Sequence, residues 1–543
     1  MFISRETKGL AFLLAGALLL AGCGKHPSAS TADNAASKKI LNFGNLTEPQ
    51  DIDPQVITGI PEFNIILALF EGLVSYDPKD LHPVPGVAKS WEISSDGLIY
   101  TFHLREDAKW SNSEPVTAQD FVQSYQRMLT PTLAAQYAYM IFNYVAGAKD
   151  YYDGKLKDFS KVGIKALDDR TLQITLQNPT PYLLKAMCHC AWFPVPVATV
   201  AKFGGLGRKG TEWTRPENFV GNGPFRLKAW LPNQKIIVER SPTYWDHANV
   251  KLDELDFYAV ESSDTEEHMF RTGQLDIINE LPRQKIPFYR HDHPEQLSVS
   301  PLLGLYFYRC NVKRPPLDNV NVRRALALAI DRESLVKDVT KAGEHPAYAI
   351  SCPGTAGYFP QARLTGTLDD ARRLLAEAGY PDGRGFPSLE LIYNTLESNR
   401  AVAEAIQQMW KKNLNIDVTL KNEEWKVYLD AQETGSFQMA RAGWLSDYVD
   451  PNSLLDLWAT GNGNNETNWG SLEYDRLLAA SYTAKTDTER YAIYQKMDAI
   501  LVDELPIIPI YYYAVPRIVN PKVKGFYPTL LDLHPWKSVD IER

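Results

Sequence analysis

The sequence predicts an α/β protein. Short strand-like runs recur from Ile40 onward, segments with helical periodicity and capping residues lie between them, and no repeat at a solenoid or propeller period is visible. Leu98 to Leu104 (Leu-Ile-Tyr-Thr-Phe-His-Leu) alternates like a half-buried strand behind the turn signal Ser94-Ser-Asp-Gly97. Thr171 to Leu176 alternates in the same way after Asp168-Asp169, and Ile236 to Glu239 and Leu255 to Val260 read as further strands. In the second half, Leu368 to Ala378 places Ala371, Leu374, Leu375 and Ala378 on one helical face and is stopped by Gly379, with Pro381 just beyond. Thr486-x-x-Glu489 makes a capping box ahead of Ile493, Met497, Ile500 and Leu501. Pro506 ends that helix, and Ile507 to Tyr513 reads as a buried strand.

A chain of 543 residues is long enough for about two to four domains. Its 12 Trp, 28 Tyr and 21 Phe exceed what a core alone requires, so some are expected to line a ligand cavity. The net charge of -9, with basic residues scattered, argues against a nucleic-acid partner. Arg5 and Lys8 precede an apolar run from Leu10 to Ala21, too short to span a membrane and typical of a secretory signal. Leu20-Ala21-Gly22-Cys23 resembles the bacterial lipobox, which implies a signal over residues 1–22 and a lipid on Cys23. Gly24 to Lys39 reads as a flexible tether, giving a cleaved chain with its tether at 23–39, anchored by lipid in the periplasm or cell envelope.

Four further cysteines, Cys188, Cys190, Cys310 and Cys352, allow three pairings among which the sequence does not choose. Cys188-His189-Cys190 sits among apolar residues with no second ligand cluster, so it reads as core rather than as a metal site. Gly205-Leu-Gly-Arg-Lys-Gly210 has the letters of a dinucleotide loop, but Pro216 follows where a helix should open, which makes it a surface loop. No hydrolase, zinc-protease or Walker signature appears, and neither cofactor nor metal nor catalysis is expected. One segment stands out: Arg441-Ala-Gly-Trp-Leu-Ser-Asp447-Tyr-Val-Asp450-Pro, after the strand-like Ser436 to Ala440. A carboxylate between aromatic walls at a strand-to-loop junction suits an ammonium group, because excluding water strengthens the pair. The same residues also read as a surface turn with solvated acids.

That segment resembles the ligand-gripping loop of the bacterial periplasmic oligopeptide-binding proteins. Similar stretches follow in the family's order at Ala88 to Arg105, Ala108 to Ser111, Pro115 to Val122, Gly221 to Phe225, Glu239 to Asp246, Val322 to Asp331 and Leu374 to Tyr380. The resemblance implies a two-lobed, hinge-closing periplasmic-binding-protein fold of type II with an extra domain inserted into the first lobe. Lobe I would comprise 40–70, 197–303 and 515–543, the inserted domain 71–196, and the second lobe 304–514. It further implies a monomer that binds short peptides extended in the interlobe cleft, by main-chain pairing, and delivers them to the membrane permease of an ABC importer. By the same resemblance Asp447 takes the α-ammonium, Trp444 neighbours it, and Arg441 lies toward the carboxylate end. Tyr137, Tyr513 and Trp425 match cleft positions, with Ile60 and Phe307 completing the wall. Thr58 replaces an acid, Asn399 and Gln432 replace a histidine and an arginine, and Gly304 and Leu445 replace two bridged cysteines. Those departures leave peptide length and charge preference open, a murein-type peptide included. Same-fold receptors for nickel chelates or haem, a secreted hydrolase, or an adhesin are the alternatives.

Overall fold

The computed structural model describes residues 38–484 and 486–542; the expected signal, the lipid-bearing Cys23 and most of the tether lie outside the described residues. Lys38 and Lys39, expected in the tether, are instead pinned. Lys38 Nζ lies 2.6 Å from Glu254 and the Lys39 backbone N–H donates to Asp253, because the strand that starts at Ile40 needs its entry fixed.

Three larger sheets organise the described residues. In the first, Ile40–Gly44 runs parallel to Glu254–Tyr258, which continues antiparallel through Lys235–Arg240 to Phe225–Leu231. The second is an antiparallel sheet in the order Ala88–Ile93, Ile99–Leu104, Thr171–Thr175, Ile164–Asp168. Strict alternation of burial in Ile99–Leu104 and Thr171–Thr175 is what the sequence's period of two foretells for a sheet with one covered face. A third, six-stranded sheet has the order His345–Pro346, Ile507–Ile518, Leu297–Cys310, Met439–Leu445, Leu389–Asn394, Val418–Glu423. Helices pack against it around a core drawn from Tyr306, Tyr308, Leu326, Trp410 and Ile510 among others.

Local chemistry explains the element ends. The helix Leu368–Glu377 begins at a reciprocal capping box between Thr367 and Asp370, and Gly379 just past it adopts φ +98°. The helix Asp487–Glu504 starts where the Thr486 side chain accepts from the Glu489 N–H. The strand expected at Ser436 to Ala440 begins later, at Met439, and runs to Leu445, so the first half of the singled-out segment is ladder; the turn that follows keeps Asp447 and Asp450 buried and not solvated. Residues 205–210 form a loop with no strand leading in and only the short 3₁₀ turn Glu212–Thr214 following.

Two strands are unusually long. Leu297–Cys310 and Ile507–Ile518 pair antiparallel, first Leu297–Pro301 against Ala514–Ile518, then Leu305–Arg309 against Ile507–Tyr512. Between these ladders the register slips, so that Leu302, Leu303 and Gly304 stand opposite Tyr513 alone. The ladder is therefore irregular between Pro301 and Leu305, and the pair bends there.

Candidate functional site

A cavity of about 290 Å³ lies at that bend, and ten of the eleven expected cleft residues line it: Thr58, Ile60, Tyr137, Asn399, Trp425, Gln432, Arg441, Trp444, Asp447 and Tyr513. Phe307 does not. It is fully buried, packs edge-to-face on Trp458 with centroids 5.7 Å apart, and sits opposite Ala442 in the ladder. Alternation does not account for this, since Arg309 on the same face of its strand and Ala442 and Trp444 of the paired strand do line the cavity; the Phe307 ring is held away by its packing on Trp458.

Asp447 follows the end of the strand Met439–Leu445, separated from it by Ser446, and its backbone N–H is fixed by Ser453 Oγ at 2.6 Å. Its carboxylate is 8% exposed. Tyr137 Oη donates to Oδ1 at 3.3 Å, and His189 Nε2 stands 3.4 Å from the same oxygen without the alignment of a hydrogen bond. Because His189 Nδ1 accepts from the Ala191 N–H, the ring's proton resides on Nε2. Burial pushes the His189 pKa down to about 3, so the imidazole is neutral and brings no positive charge. Burial likewise drives the Asp447 carboxyl well above the usual carboxylate range, and the Tyr137 bond offsets only part of that. A buried carboxylate without a cation is unstable as a charge, and this one borders a cavity.

Arg441 is the complement. Its Nη2 donates to Tyr513 Oη at 2.8 Å, its Nη1 to Asn394 Oδ1 at 3.3 Å, and the guanidinium lies 4.7 Å over the Tyr306 ring. No carboxylate pairs with it among the described residues. The other arginines on the cavity wall are already neutralised, Arg309 by Glu466 and Arg283 by Glu344 at 2.8 Å.

Between the two charges runs an open strand edge. Met439–Leu445 pairs along its whole length with Leu297–Cys310, but its other neighbour, Leu389–Asn394, is in register only with Met439 and Ala440. Ser446 N–H bonds Leu303 O, and Asn311 N–H bonds Gln438 O, which sets the phase of the antiparallel ladder. Even-numbered residues therefore bond toward Leu297–Cys310, and the N–H and C=O of Gly443 and Leu445 point to the free side, into the cavity. Gly443 is required by crowding: a Cβ there would stand 2.1 Å from Tyr513 Oη. Gly304 and Leu445 face each other in the ladder, and a Cβ on Gly304 would meet Leu445 Cδ2 at 2.3 Å, so the leucine fills the space beside the glycine.

Sequence reasoning missed three contributors. His189 was read as core, which its burial matches, yet it also borders the cavity; a lone histidine among apolar residues gives no sign of that. Arg309 and Glu466 lie 157 positions apart and only the fold joins them. The four cysteines are buried free thiols, so none of the three pairings forms.

A cleft that presents an unpaired acid, an unpaired base and a free strand edge between them belongs to a receptor for an elongated ligand carrying both charges. The chain is a member of the bacterial extracellular solute-binding proteins, family 5, whose middle region matches residues 82–466. It is 39% identical over 529 residues to the periplasmic oligopeptide-binding protein OppA of Escherichia coli K12, covering 95% of this chain and 94% of that one. The E. coli periplasmic murein peptide-binding protein MppA is 36% identical over 88% of each chain. Haemophilus influenzae OppA in complex with the peptide RPPGFSPFR superposes with a TM-score of 0.88 at 35% identity, over 93% of this chain and 99% of that one. One structure of MppA superposes at 0.89, whereas its unliganded open form reaches 0.62 at the same 35% identity. The lobes here are thus arranged as in the peptide complex. Among the described residues no helix is long and apolar enough to cross a membrane.

Proposed function

We propose that this protein is an extracytoplasmic receptor that captures short peptides by their free amino terminus and hands them to an ABC-type importer, without catalysing a reaction. The observation that carries the reading is Asp447, buried at the cleft with no cation paired to it among the described residues and one residue past a strand whose outer edge is unpaired beyond Ala440. A peptide supplies what is missing at each point. Its α-ammonium neutralises Asp447, its main chain extends the sheet at Gly443 and Leu445, and its carboxylate end runs toward Arg441. Groups that every peptide shares then hold the ligand, leaving its side chains free to vary. The bend in the two long strands serves as the hinge, and the closed form is the shape offered to the permease. The names of the relatives, oligopeptide-binding and murein peptide-binding, support the ligand class.

Calorimetry with a free tripeptide and its N-acetylated form tests this directly. The acetylated peptide should bind more weakly by roughly 2 to 5 kcal/mol, and Asp447→Asn should lose a similar amount for the free peptide. Equal affinity for both forms in the wild type would refute the assignment of Asp447.

Anchoring by a lipid on Cys23 completes the proposal and rests on Leu20-Ala21-Gly22-Cys23. A Cys23→Ser protein should leave the membrane fraction for the soluble one, and its staying with membranes would exclude the anchor.

A further inference from the structure

The residues that hold Asp447 come from two segments, and each makes a second contact seven residues away, behind the cavity. Tyr137 bonds the Asp447 carboxylate, and Tyr144 of the same segment places its hydroxyl 3.0 Å from the hydroxyl of Tyr448, the next residue after Asp447. His189 faces Asp447 in the second segment, and Tyr182 stacks on the Tyr448 ring, with centroids 5.6 Å apart and planes 8° from parallel. Behind Tyr448, Asn452 Nδ2 donates to its hydroxyl at 3.0 Å, and Ser453, the next residue, holds the Asp447 N–H. Tyr144, Tyr182, Tyr448 and Asn452 are all buried, and none of them lines the cavity.

We propose that Tyr144 and Tyr182 form a clamp on Tyr448 that couples seating of the Asp447 carboxylate to closure of the cleft, making them positioning residues that never touch the ligand. This rests on the peptide reading above. The geometry gives the reason. Residues 447 and 448 are adjacent, so whatever draws Asp447 against Tyr137 and His189 also brings Tyr448 between Tyr144 and Tyr182. The front contact is electrostatic and incomplete until a cation arrives. The rear contact is aromatic and hydrogen-bonded and forms without a ligand: the Tyr144 and Tyr448 hydroxyls face each other, Asn452 Nδ2 donates to the Tyr448 hydroxyl, and the buried Asp456 Oδ2 accepts from Asn452 at 3.1 Å and from Tyr448 at 3.5 Å. A ligand that neutralises Asp447 removes the electrostatic penalty on the front contact, and the rear contact then holds the lobes shut. The clamp therefore acts on how long a peptide stays, more than on how fast it enters.

The test uses the full chain with a free-amino tripeptide, and compares wild type, Tyr144→Phe, Tyr448→Phe and the double variant by calorimetry and stopped-flow dissociation. Each single variant should bind roughly three- to tenfold more weakly, the change residing in the dissociation rate. Since the two hydroxyls are partners, the double variant should be no worse than the weaker single one. Wild-type affinity in the variants, with or without a fall in melting temperature, overturns the clamp. If the wild type itself ignores the tripeptide, the peptide reading fails, and the clamp is then judged by hydrogen exchange over residues 447–455 in the protein as purified. Exchange there must rise in Tyr448→Phe, and unchanged exchange overturns the clamp on its own.

Discussion

Single side chains in this molecule are set by burial more than by charge pairing. Glu62 illustrates it. Its carboxyl is 1% exposed, accepts from the Gln50 N–H at 2.6 Å and leaves Oε2 without a partner. Burial raises its pKa from 4.5 to about 7, with the backbone bonds and Trp425 opposing and the Asp51 charge adding to the rise. A group that holds its proton more tightly folded than unfolded contributes stability that is complete below pH 4.5 and is lost as the pH climbs through 7. Thermal unfolding from pH 4.5 to 7.5 should accordingly show a decline in the wild type that is shallower in Glu62→Gln, the difference being up to ~3 kcal/mol. Parallel slopes would mean that Glu62 is ionised in the folded chain. Asp447 is a further buried acid lacking a cation, but there the cavity offers room for one to come from outside. Its identity as an acid beside Trp444 was legible in the sequence; its isolation from every cation was not, since that depends on which side chains arrive from residues 137 and 189.

At the scale of elements, the strand Met439–Leu445 matters through what it lacks. Leu389–Asn394, which pairs along its whole length with Val418–Glu423 on its far side, pairs with only the first two residues of this strand, leaving an edge that a ligand main chain can complete. Peptides methylated on a backbone nitrogen that faces this edge lose a donor and gain bulk, so they should bind at least ~1 kcal/mol more weakly than the parent peptide, while methylation at the next nitrogen should cost less. Calorimetry on the two methylated isomers decides it, and identical affinities would argue that the ligand does not pair there. Sequence patterning located this strand a few residues early. Ser436 to Ala440 alternates as well as the true strand does, and a period of two marks a pleated segment without marking where its partner begins.

For the whole molecule, the decisive feature is the pair of long strands, 14 and 12 residues, whose ladder slips between Pro301 and Leu305. The relative MppA is found in forms that superpose on this chain at 0.89 and 0.62, and rigid-body closure about a few residues at the slip is the motion proposed for this chain. Small-angle scattering should show the radius of gyration fall when a free tripeptide is added to the wild type and stay high with Asp447→Asn. A radius that does not respond to peptide would exclude hinge closure as the response to binding.

The amino-acid order alone determined the α/β class and the ends of the main helices, because capping, periodicity and turn residues act within a few positions of one another; it marked the segment from Arg441 to Pro451 but left a surface turn equally open there. Ten of the eleven residues expected at the cleft do converge there, yet the resemblance placed them, and periodicity alone did not. The tertiary structure decided the rest: that Phe307 is buried against Trp458, that His189 reaches the cavity, that Arg309 is neutralised by a glutamate 157 positions away, and that Arg441 is left without a carboxylate. Burial and pairing are sums over neighbours distant in the chain, so which charges remain unmatched is settled only once every lobe has been folded into place.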